Sequence, residues 1–239
     1  MRILVFNQKG GVGKTTTTIN LGAALAAEGE TVVIVDLDPQ LHLTAAMGAT
    51  GLSQSGTSED FLCGASIAPV PVAGSPGLFL IPGKGDALSA AEGRLKPTGI
   101  AADWIIMDAP PGWNGALAEL VGLSDWVICP LEPDFLGLNG LNQLMRRMQE
   151  AGQSWNRLRI LISRYSNRLA VHREVRGKLI DRFGSEAVLP VVIRSSVRLA
   201  EAPGQSQTIF QYAPRSTGAS DYAQLARTLL LQRALMGQG

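Results

Sequence analysis

The feature that most constrains this chain is a glycine-rich loop close to its start, within the stretch FNQKGGVGKTTTTIN at positions 6–20. The apolar run RILV precedes the loop, and a pattern typical of a helix follows it from Lys14. A phosphate-binding loop needs this order, because glycines let backbone N–H groups approach phosphate oxygens and the helix start adds its positive end. A glycine-rich turn without a chemical role is the alternative, and the flanking strand and helix make it the weaker one.

The residues of this loop have individual expected roles. Lys14 is placed to reach the β- and γ-phosphates of a bound nucleotide, the Thr15 hydroxyl to ligate Mg²⁺, and Thr16 to bond the α-phosphate. The rest of the predicted nucleotide-binding loop consists of Lys9, Gly10, Gly11, Val12 and Gly13.

A second lysine, Lys9, stands on the other side of the glycines. The usual phosphate-loop pattern has glycine at position 8, where this chain has Gln8. A lysine at position 9 does not easily fold back onto phosphates that its own loop encloses. We therefore interpret Lys9 as a residue that reaches a nucleotide held by a facing subunit.

Carboxylates follow two further apolar runs of the chain. VVIVDLD ends in Asp36 and Asp38, and WIIMD ends in Asp108. Open α/β sheets bind ligands at the carboxyl ends of their strands, and a buried carboxylate there needs a cation or a donor nearby. Each Asp taken alone is also compatible with a residue that caps a loop, but their order after the glycine loop favours a shared site.

Short apolar runs rich in β-branched residues alternate with helical patterns, and several runs are apolar on both faces, which is typical of a parallel sheet covered on each side. The alternation predicts a single α/β domain over residues 1–239, with a doubly wound, mostly parallel sheet and helices on both faces. The expected strands are RILVFN, TVVIVDLD, LFLIPG, DWIIMDAP, DWVICPLEP, LRILISR and VLPVVI. The expected helices cover 14–28, 139–151, 171–183 and 219–236, and residues 48–77 are expected to form a loop-heavy insertion.

Cysteine usage and hydropathy exclude several classes of protein. The two cysteines, Cys63 and Cys129, are far apart and form no CxxC pair, which argues against a zinc site or a disulfide scaffold. The long uncharged run at 61–83 is interrupted by four prolines, so it is not a membrane-spanning helix. The start of the chain does not match a signal peptide. We expect a soluble, cytoplasmic protein.

The loop KGGVGKTT resembles the deviant Walker A loop of the ParA/MinD family of ATPases. Two later segments, LEPDFLGLNGLNQLM and VRLAEAPGQSQTIFQYAPRSTGASDYAQLA, are similar to ParA sequences, so the resemblance covers nearly the whole chain. It implies ATP as the nucleotide, Mg²⁺ as its metal, and weak hydrolysis to ADP and phosphate that a partner stimulates. It also implies a homodimer that sandwiches two nucleotides, in which Lys9 contacts the phosphates of the other subunit.

The same resemblance implies roles for the acidic residues. Asp38, in the DPQ motif, is implied as the switch residue that positions or activates the attacking water and contributes to the metal site. Asp108 is implied as the Walker B carboxylate that holds Mg²⁺ through water, together with Thr15. Asp36 is expected to support the loop structurally. The implied catalytic residues are therefore Lys9, Lys14 and Asp38.

Two segments are less regular matches to the family. The family often continues DPQ with Gly-Asn, whereas this chain has Leu41-His42-Leu43, and His42 is expected to be a loop residue and not a catalyst. The Glu-Ala-Pro segment approaches the adenine in ParA proteins. By this resemblance, Pro203, Arg164 and Glu201 would line the base pocket.

Positive charge is concentrated in one part of the chain. Residues 145–200 contain twelve Lys/Arg and four Asp/Glu, a net charge of +8, while the remainder has nine basic and sixteen acidic residues, a net charge of −7. This asymmetry favours a polyanion-binding surface, with a solvated basic face as the alternative. ParA proteins without an additional DNA-reading domain bind DNA non-specifically, which implies nucleoid association. The candidate DNA contacts are Arg168, Arg194, Arg198 and Arg215.

The resemblance implies a ParB-like protein or another cargo adaptor as a further partner, and two alternative functions stay open. MinD-like proteins end in a basic amphipathic helix that lies on the membrane. Here the last nineteen residues contain only Arg227 and Arg233 as cations, so no stable membrane association is expected. The apolar stripe of this last helix, expected to pack in the core, consists of Tyr222, Leu225, Leu229 and Leu230. A nucleotide-dependent scaffold without turnover is the other alternative. An iron–sulfur protein of the nitrogenase-reductase type is excluded, because Cys129 has no cysteine partner.

Overall fold

A computed structural model of the chain describes residues 1–51, 56–97 and 99–236. Within them, eight strands form one sheet in the order β3-β4-β2-β5-β1-β6-β7-β8. All neighbouring strands are parallel except β3 and β4, which are antiparallel. The strands are β1 (Arg2–Val5), β2 (Val32–Asp36), β3 (Val70–Pro71), β4 (Leu78–Ile81), β5 (Trp104–Asp108), β6 (Trp126–Leu131), β7 (Leu158–Tyr165) and β8 (Val188–Arg194). The predicted mostly parallel α/β sheet is confirmed. The assignment of the whole chain to a single domain stays a prediction.

All four predicted helices are present. The α-helices of the described residues are α1 (Lys14–Ala27), α2 (His42–Ala46), α3 (Ser58–Leu62), α4 (Ala87–Ala90), α5 (Gly115–Leu123), α6 (Phe135–Glu150), α7 (Ala170–Ala187), α8 (Val197–Glu201), α9 (Ile209–Tyr212) and α10 (Thr217–Met236), with short 3₁₀ turns at Trp155–Arg157 and Ala202–Gln205. Helix α6 starts four residues earlier than expected, because the Asp134 side chain accepts a hydrogen bond from the backbone N–H of Gly137 and caps it.

Two hydrophobic cores lie on opposite faces of the sheet. Every residue of β2, β5 and β6 is buried, as a parallel sheet covered on both sides requires. Helices α1 and α10 cover one face, and helices α5, α6 and α7 cover the other. On α10, Tyr222, Leu225 and Leu229 are buried and Leu230 packs against them, so the predicted core stripe is confirmed. None of the helices in the described part of the chain has the length and apolarity needed to span a membrane.

The sequence patterns missed the short helices. The interval 48–77 contains the short helix α3 and the short edge strand β3, and its other described residues form turns and loops, so the predicted loop-heavy character is confirmed. Residues 52–55 within this interval lie outside the described residues. A capping box marks the start of α3, where Asp60 Oδ2 accepts from the backbone N–H of Thr57 at 2.8 Å. His42, expected in a loop, is the exposed first residue of α2.

The strand order brings the predicted site residues to one edge of the sheet. Strand β5 lies between β2 and β1, and Asp108 pairs in register with Asp36 on one side and Val5 on the other. The glycine loop after β1 and the two acidic strand ends therefore meet at the carboxyl ends of three adjacent strands.

Candidate nucleotide-binding site

The glycine loop connects β1 to α1 and leaves the start of the helix open. Gly11 and Gly13 have φ angles of 77° and 94°, in the left-handed region that favours glycine. Gly13 is the N-cap residue of α1, and no side chain caps this helix. The free N–H groups of the first turn are therefore available to an anion.

A cavity of about 680 Å³ lies over this loop, a size that accommodates a nucleotide. Most of the predicted binding residues line it, namely Gly10, Gly11, Gly13, Lys14, Thr15, Thr16, Asp38, Arg164 and Pro203. Val12 lines a smaller adjoining cavity of about 270 Å³, and its carbonyl accepts a 2.9 Å hydrogen bond from Ser163, which fixes the loop to β7. Glu201 lies outside the lining of both cavities, and its carboxylate accepts from Arg198 and Tyr212.

Lys14 is a buried cation at the base of the large cavity, with 8% of its surface exposed. Burial lowers the pKa of its ammonium, and the nearby carboxylates of Asp108 and Asp38 act in the opposite direction. Among the described residues, no side chain or carbonyl accepts a hydrogen bond from this ammonium. A buried, unpaired cation beside open helix amides is a strong site for a phosphate group.

Asp108 and Thr15 form the candidate metal site. The Thr15 hydroxyl donates to Oδ2 of Asp108 at 2.6 Å, and Thr18 donates to Oδ1 at 3.4 Å. Complete burial raises the pKa of Asp108 to about 7; the Thr15 hydroxyl opposes this rise, and the charge of Asp36 adds to it. These groups offer oxygen ligands alone, the donor type that Mg²⁺ prefers.

Within the described residues, no cluster of three or more His, Cys, Asp or Glu side chains could hold a metal ion. A magnesium site built only of such side chains is therefore absent from this part of the chain. Mg²⁺ is commonly bound by one or two protein ligands, with water molecules and substrate phosphates as its remaining ligands. The hydroxyl of Thr15 and the carboxylate of Asp108 fit this arrangement. The residues present therefore fit Mg²⁺ bound together with a nucleotide.

Asp38 and Asp36 are separated by one residue but face different surroundings. Asp38 lines the cavity, and its Oδ1 accepts from the backbone N–H of Gln40 at 2.9 Å. Asp36 is fully buried, and its Oδ2 accepts from both the backbone N–H and the hydroxyl of Thr44 on α2, at 2.8 and 2.6 Å. The contacts of Asp36 agree with the structural role expected for it. Asp38, in contrast, lies at the cavity.

The turn that follows Asp38 has an unusual backbone. Leu41 adopts a φ of 55° and a ψ of 31°, the left-handed conformation, and is the N-cap residue of α2. Glycine adopts this conformation without strain, whereas a residue with a Cβ atom does not. The backbone is therefore strained at Leu41.

Lys9 lies beside the loop and is held by carboxylates that the sequence interpretation did not include. Its Nζ donates to Glu132 Oε2 at 3.1 Å and to Asp134 Oδ2 at 3.2 Å. Arg164 donates to the other oxygen of Glu132 at 2.9 Å. Both acids belong to the segment LEPDF directly after β6, and their position after a strand was the available sequence signal.

Comparison with known proteins identifies the family. Residues 3–209, most of the chain, match the CobQ/CobB/MinD/ParA nucleotide binding domain. The chain belongs to this family. The resemblance predicted from the sequence is thereby confirmed.

Relatives within the CobQ/CobB/MinD/ParA family cover nearly the whole chain. The chromosome-partitioning ATPase Soj of Thermus thermophilus is 36% identical over 247 residues, covering 96% of this chain and 95% of the relative. The chromosome partitioning protein ParA of Caulobacter vibrioides is 35% identical over 255 residues, covering 96% and 94%. The septum site-determining protein MinD of Pyrococcus horikoshii, complexed with Mg-ADP, has a TM-score of 0.72 at 22% identity, with 95% of each chain covered. The MinD likeness shows the fold.

The four arginines predicted to contact DNA differ in their surroundings in this ParA/MinD chain. Arg194 binds Asp221 through both Nε, at 3.1 Å, and one terminal nitrogen, at 2.6 Å. Arg198 is paired with Glu201 at 2.9 Å. Arg168 and Arg215 are exposed, and within the described residues neither forms an ion pair. Arg194 is thus engaged within the fold, and the other three are freer to meet a polyanion.

Proposed function

We propose that this chain is a ParA-type ATPase that dimerises on ATP, binds DNA without sequence preference, and releases the DNA after hydrolysis while it moves or spaces a cargo. The observation that carries the proposal is the cavity at the glycine loop, where the buried Lys14, the Thr15–Asp108 pair and Asp38 meet. The names of the relatives, a chromosome-partitioning ATPase and a chromosome partitioning protein, support the same function.

The predicted site residues at this cavity have separate parts in binding and hydrolysis. The loop amides and Lys14 bind the phosphates, and Thr15 and Asp108 would hold Mg²⁺. A bound metal ion would supply positive charge that neutralises the phosphates. Asp38 accepts a hydrogen bond from the attacking water and orients it. Arg164 and Pro203 line the part of the cavity assigned to the adenine base. The MinD of Pyrococcus horikoshii, which shares this fold, is complexed with Mg-ADP.

The position of Lys9 supports the proposed dimer. Lys9 is not among the residues that line the cavity of its own chain, and its ammonium contacts Glu132 and Asp134 instead, which supports a second copy as the nucleotide holder that it serves. Phe135 and Leu136, directly after Asp134, are 74% and 61% exposed. Exposed large apolar side chains beside a charged site favour contact with another protein surface.

DNA binding rests on the charge of residues 145–200. Their net charge of +8 lies within a chain whose total is +1. Arginines that contact phosphates without reading bases give affinity that falls steeply with salt. Arg168, Arg198 and Arg215 are the proposed contacts, and the cargo adaptor is the proposed stimulator of hydrolysis.

A MinD-like membrane function is the second candidate, favoured by exposed apolar side chains near the end of α10. Leu231, Leu235 and Met236 are 68%, 70% and 58% exposed. The two cations of this segment are engaged, because Arg227 binds Glu28 at 2.8 Å and Arg233 binds Glu30 at 2.7 Å. Membrane-binding helices need free cations of this kind to contact lipid headgroups. DNA is therefore favoured over a membrane as the binding partner.

The deciding experiment compares DNA binding with a non-hydrolysable ATP analogue and with ADP, alongside anionic liposomes. We expect DNA binding with the analogue alone, no liposome binding, and loss of DNA affinity in Arg198→Glu. Arg227→Glu is the matched control, with the same charge change on α10, and should retain DNA affinity. Liposome binding without DNA binding would favour the MinD-like function, and equal DNA affinity with both nucleotides would contradict an ATP-controlled cycle.

A further inference from the structure

The connection from β6 to α6 places two carboxylates on Lys9. Glu132 Oε2 and Asp134 Oδ2 lie 3.1 and 3.2 Å from Nζ, so two of the three donors of this ammonium are occupied within its own chain. The Lys9 side chain is only 26% exposed. Lys9, which is proposed to complete the nucleotide site of a second subunit, is therefore already bound by two carboxylates of its own chain.

Neither carboxylate is free to move away from Lys9 without losing another contact. Glu132 Oε1 accepts from Arg164 at 2.9 Å, which turns Oε2 towards Lys9. Asp134 Oδ1 caps α6 through Gly137 at 2.6 Å, which turns Oδ2 towards Lys9. Because other contacts already order both acids, little further conformational entropy is lost when they bind the lysine.

The formal charges of this cluster cancel. Lys9 and Arg164 carry two positive charges, and Glu132 and Asp134 carry two negative charges, so the two carboxylates weaken the attraction of Lys9 for an incoming phosphate. Burial acts to lower the pKa of Lys9, but the two carboxylates outweigh it and raise this pKa. Burial acts to raise the pKa of Asp134, and the N–H of Gly137 together with Lys9 lowers it, which agrees with mutual stabilisation of the charged forms. A phosphate chain must therefore compete with two carboxylates for the ammonium.

We propose that Glu132 and Asp134 are positioning residues that hold Lys9 on its own subunit and so set the triphosphate concentration at which two subunits associate. This inference rests on the proposed ATP-dependent dimer. A triphosphate competes better than a diphosphate because it carries more negative charge at the interface. The two acids thus make association selective for the triphosphate state.

The first test measures dimerisation of the full chain by sedimentation velocity during titration with a non-hydrolysable ATP analogue. Glu132→Gln keeps an acceptor for Arg164, and Asp134→Asn keeps an acceptor for Gly137, so the double variant removes charge and preserves the other contacts. We expect the midpoint concentration of the analogue to fall about tenfold, as for the loss of two partly exposed charge-assisted bonds. An unchanged or higher midpoint overturns the proposal.

The matched control is Glu174→Gln, which breaks the exposed pair between Glu174 and Lys178 at 2.6 Å. It removes one negative charge from the surface of α7 without touching Lys9. We expect its midpoint to equal that of the wild type. A tenfold fall in this control as well would mean that overall charge, and not the hold on Lys9, sets the midpoint, and would overturn the proposal.

The second test needs no dimer and no nucleotide. Acylation of lysines by an amine-reactive ester, followed by mass spectrometry, gives the reaction rate of Lys9 relative to Lys178. Removal of both carboxylates destabilises the protonated amine and exposes it, so the Lys9 rate should rise several-fold in the double variant. An unchanged rate overturns the hold on Lys9.

The two tests separate failure of this inference from failure of the proposed function. A wild-type chain that stays monomeric with the analogue contradicts the ATP-dependent dimer, while the acylation rates still decide whether the acids hold Lys9. A wild-type chain that dimerises while the double variant has the same midpoint contradicts only the role of Glu132 and Asp134.

Discussion

The hydroxyl of Thr15 donates a 2.6 Å hydrogen bond to Oδ2 of Asp108 and so joins the first turn of α1 to the end of β5. The two residues are 93 positions apart in the chain, and the neighbouring positions of β1 and β5 in the sheet bring them together. Lys14, the residue before Thr15, faces the same carboxylate. The glycine loop and the buried acid therefore form one electrostatic unit.

Asp108 should make the metal-free protein less stable as pH rises. Its pKa is raised from 3.8 to about 7 in the folded chain, so between these values the folded state binds a proton that the unfolded state does not. The free energy of unfolding should fall over this range by at most roughly 4 kcal/mol. Denaturant titrations in a chelator, from about pH 4 to about pH 7, measure this slope. Asp108→Asn should flatten it, and parallel slopes in both proteins would contradict the assignment.

Lys14→Ala should remove nucleotide binding without destabilising the fold. The ammonium is buried and its pKa is lowered by burial, so its loss relieves a desolvation cost while the phosphates lose their buried cation. We expect ATP affinity, measured by calorimetry, to fall by at least about 100-fold. Lys84→Ala is the control, because Lys84 is exposed and paired with Glu59 away from the loop. Normal ATP affinity in Lys14→Ala would remove the assignment of the loop.

Asp38→Asn should separate hydrolysis from binding. The amide oxygen still accepts from the N–H of Gln40, so the local turn is kept while the negative charge is lost. We expect the rate of phosphate release to fall about 100-fold with ATP affinity retained, and the ATP-bound dimer to persist. His42→Ala is the control, since His42 lines the same cavity but has no proposed role. Brisk turnover in the Asp38 variant would refute its part in hydrolysis.

Arg194→Ala should lower stability more than it lowers DNA affinity. The Asp221 side chain is only 6% exposed and would lose its guanidinium partner, although the backbone N–H of Arg194 still donates to it. Because Arg194 itself is partly exposed, we expect a loss of about 1–2 kcal/mol in the free energy of unfolding. Arg227→Ala, at a more exposed pair, should cost less than about 0.5 kcal/mol. Equal losses in the two variants would show that the burial of Asp221 has no effect on stability.

Local sequence patterns predicted much of the fold, because apolar runs and glycine positions reflect the conformation of residues that are neighbours in the chain. The buried strands that end at Asp36 and Asp108 follow from continuous apolar runs, and the start of α1 follows from the glycines before Lys14. Short helices such as α2 have too few residues for a helical period to emerge. The start of α3 is marked by a capping box, which a periodic pattern does not record.

The sequence did not predict which charged side chains contact one another. Lys9 meets Glu132 across 123 positions because β1 and β6 are neighbours in the sheet, and Arg194 meets Asp221 across 27 because α10 packs against β8. The charge excess of residues 145–200 indicated a basic surface but not which arginines are already paired. The position of the loop between β1 and α1 was therefore predictable, while the electrostatic restraints on Lys9 and Arg194 became visible only in the fold.

Leu41 holds a left-handed backbone at φ 55° immediately after the segment that carries Asp38. For a leucine this conformation lies about 1–2 kcal/mol above a right-handed one, and the contacts of α2 with Asp36 must compensate for the difference. The turn beside the cavity is therefore held by the buried contacts of Asp36 and not by the preference of its own backbone, so the placement of Asp38 depends on a residue that does not itself line the cavity.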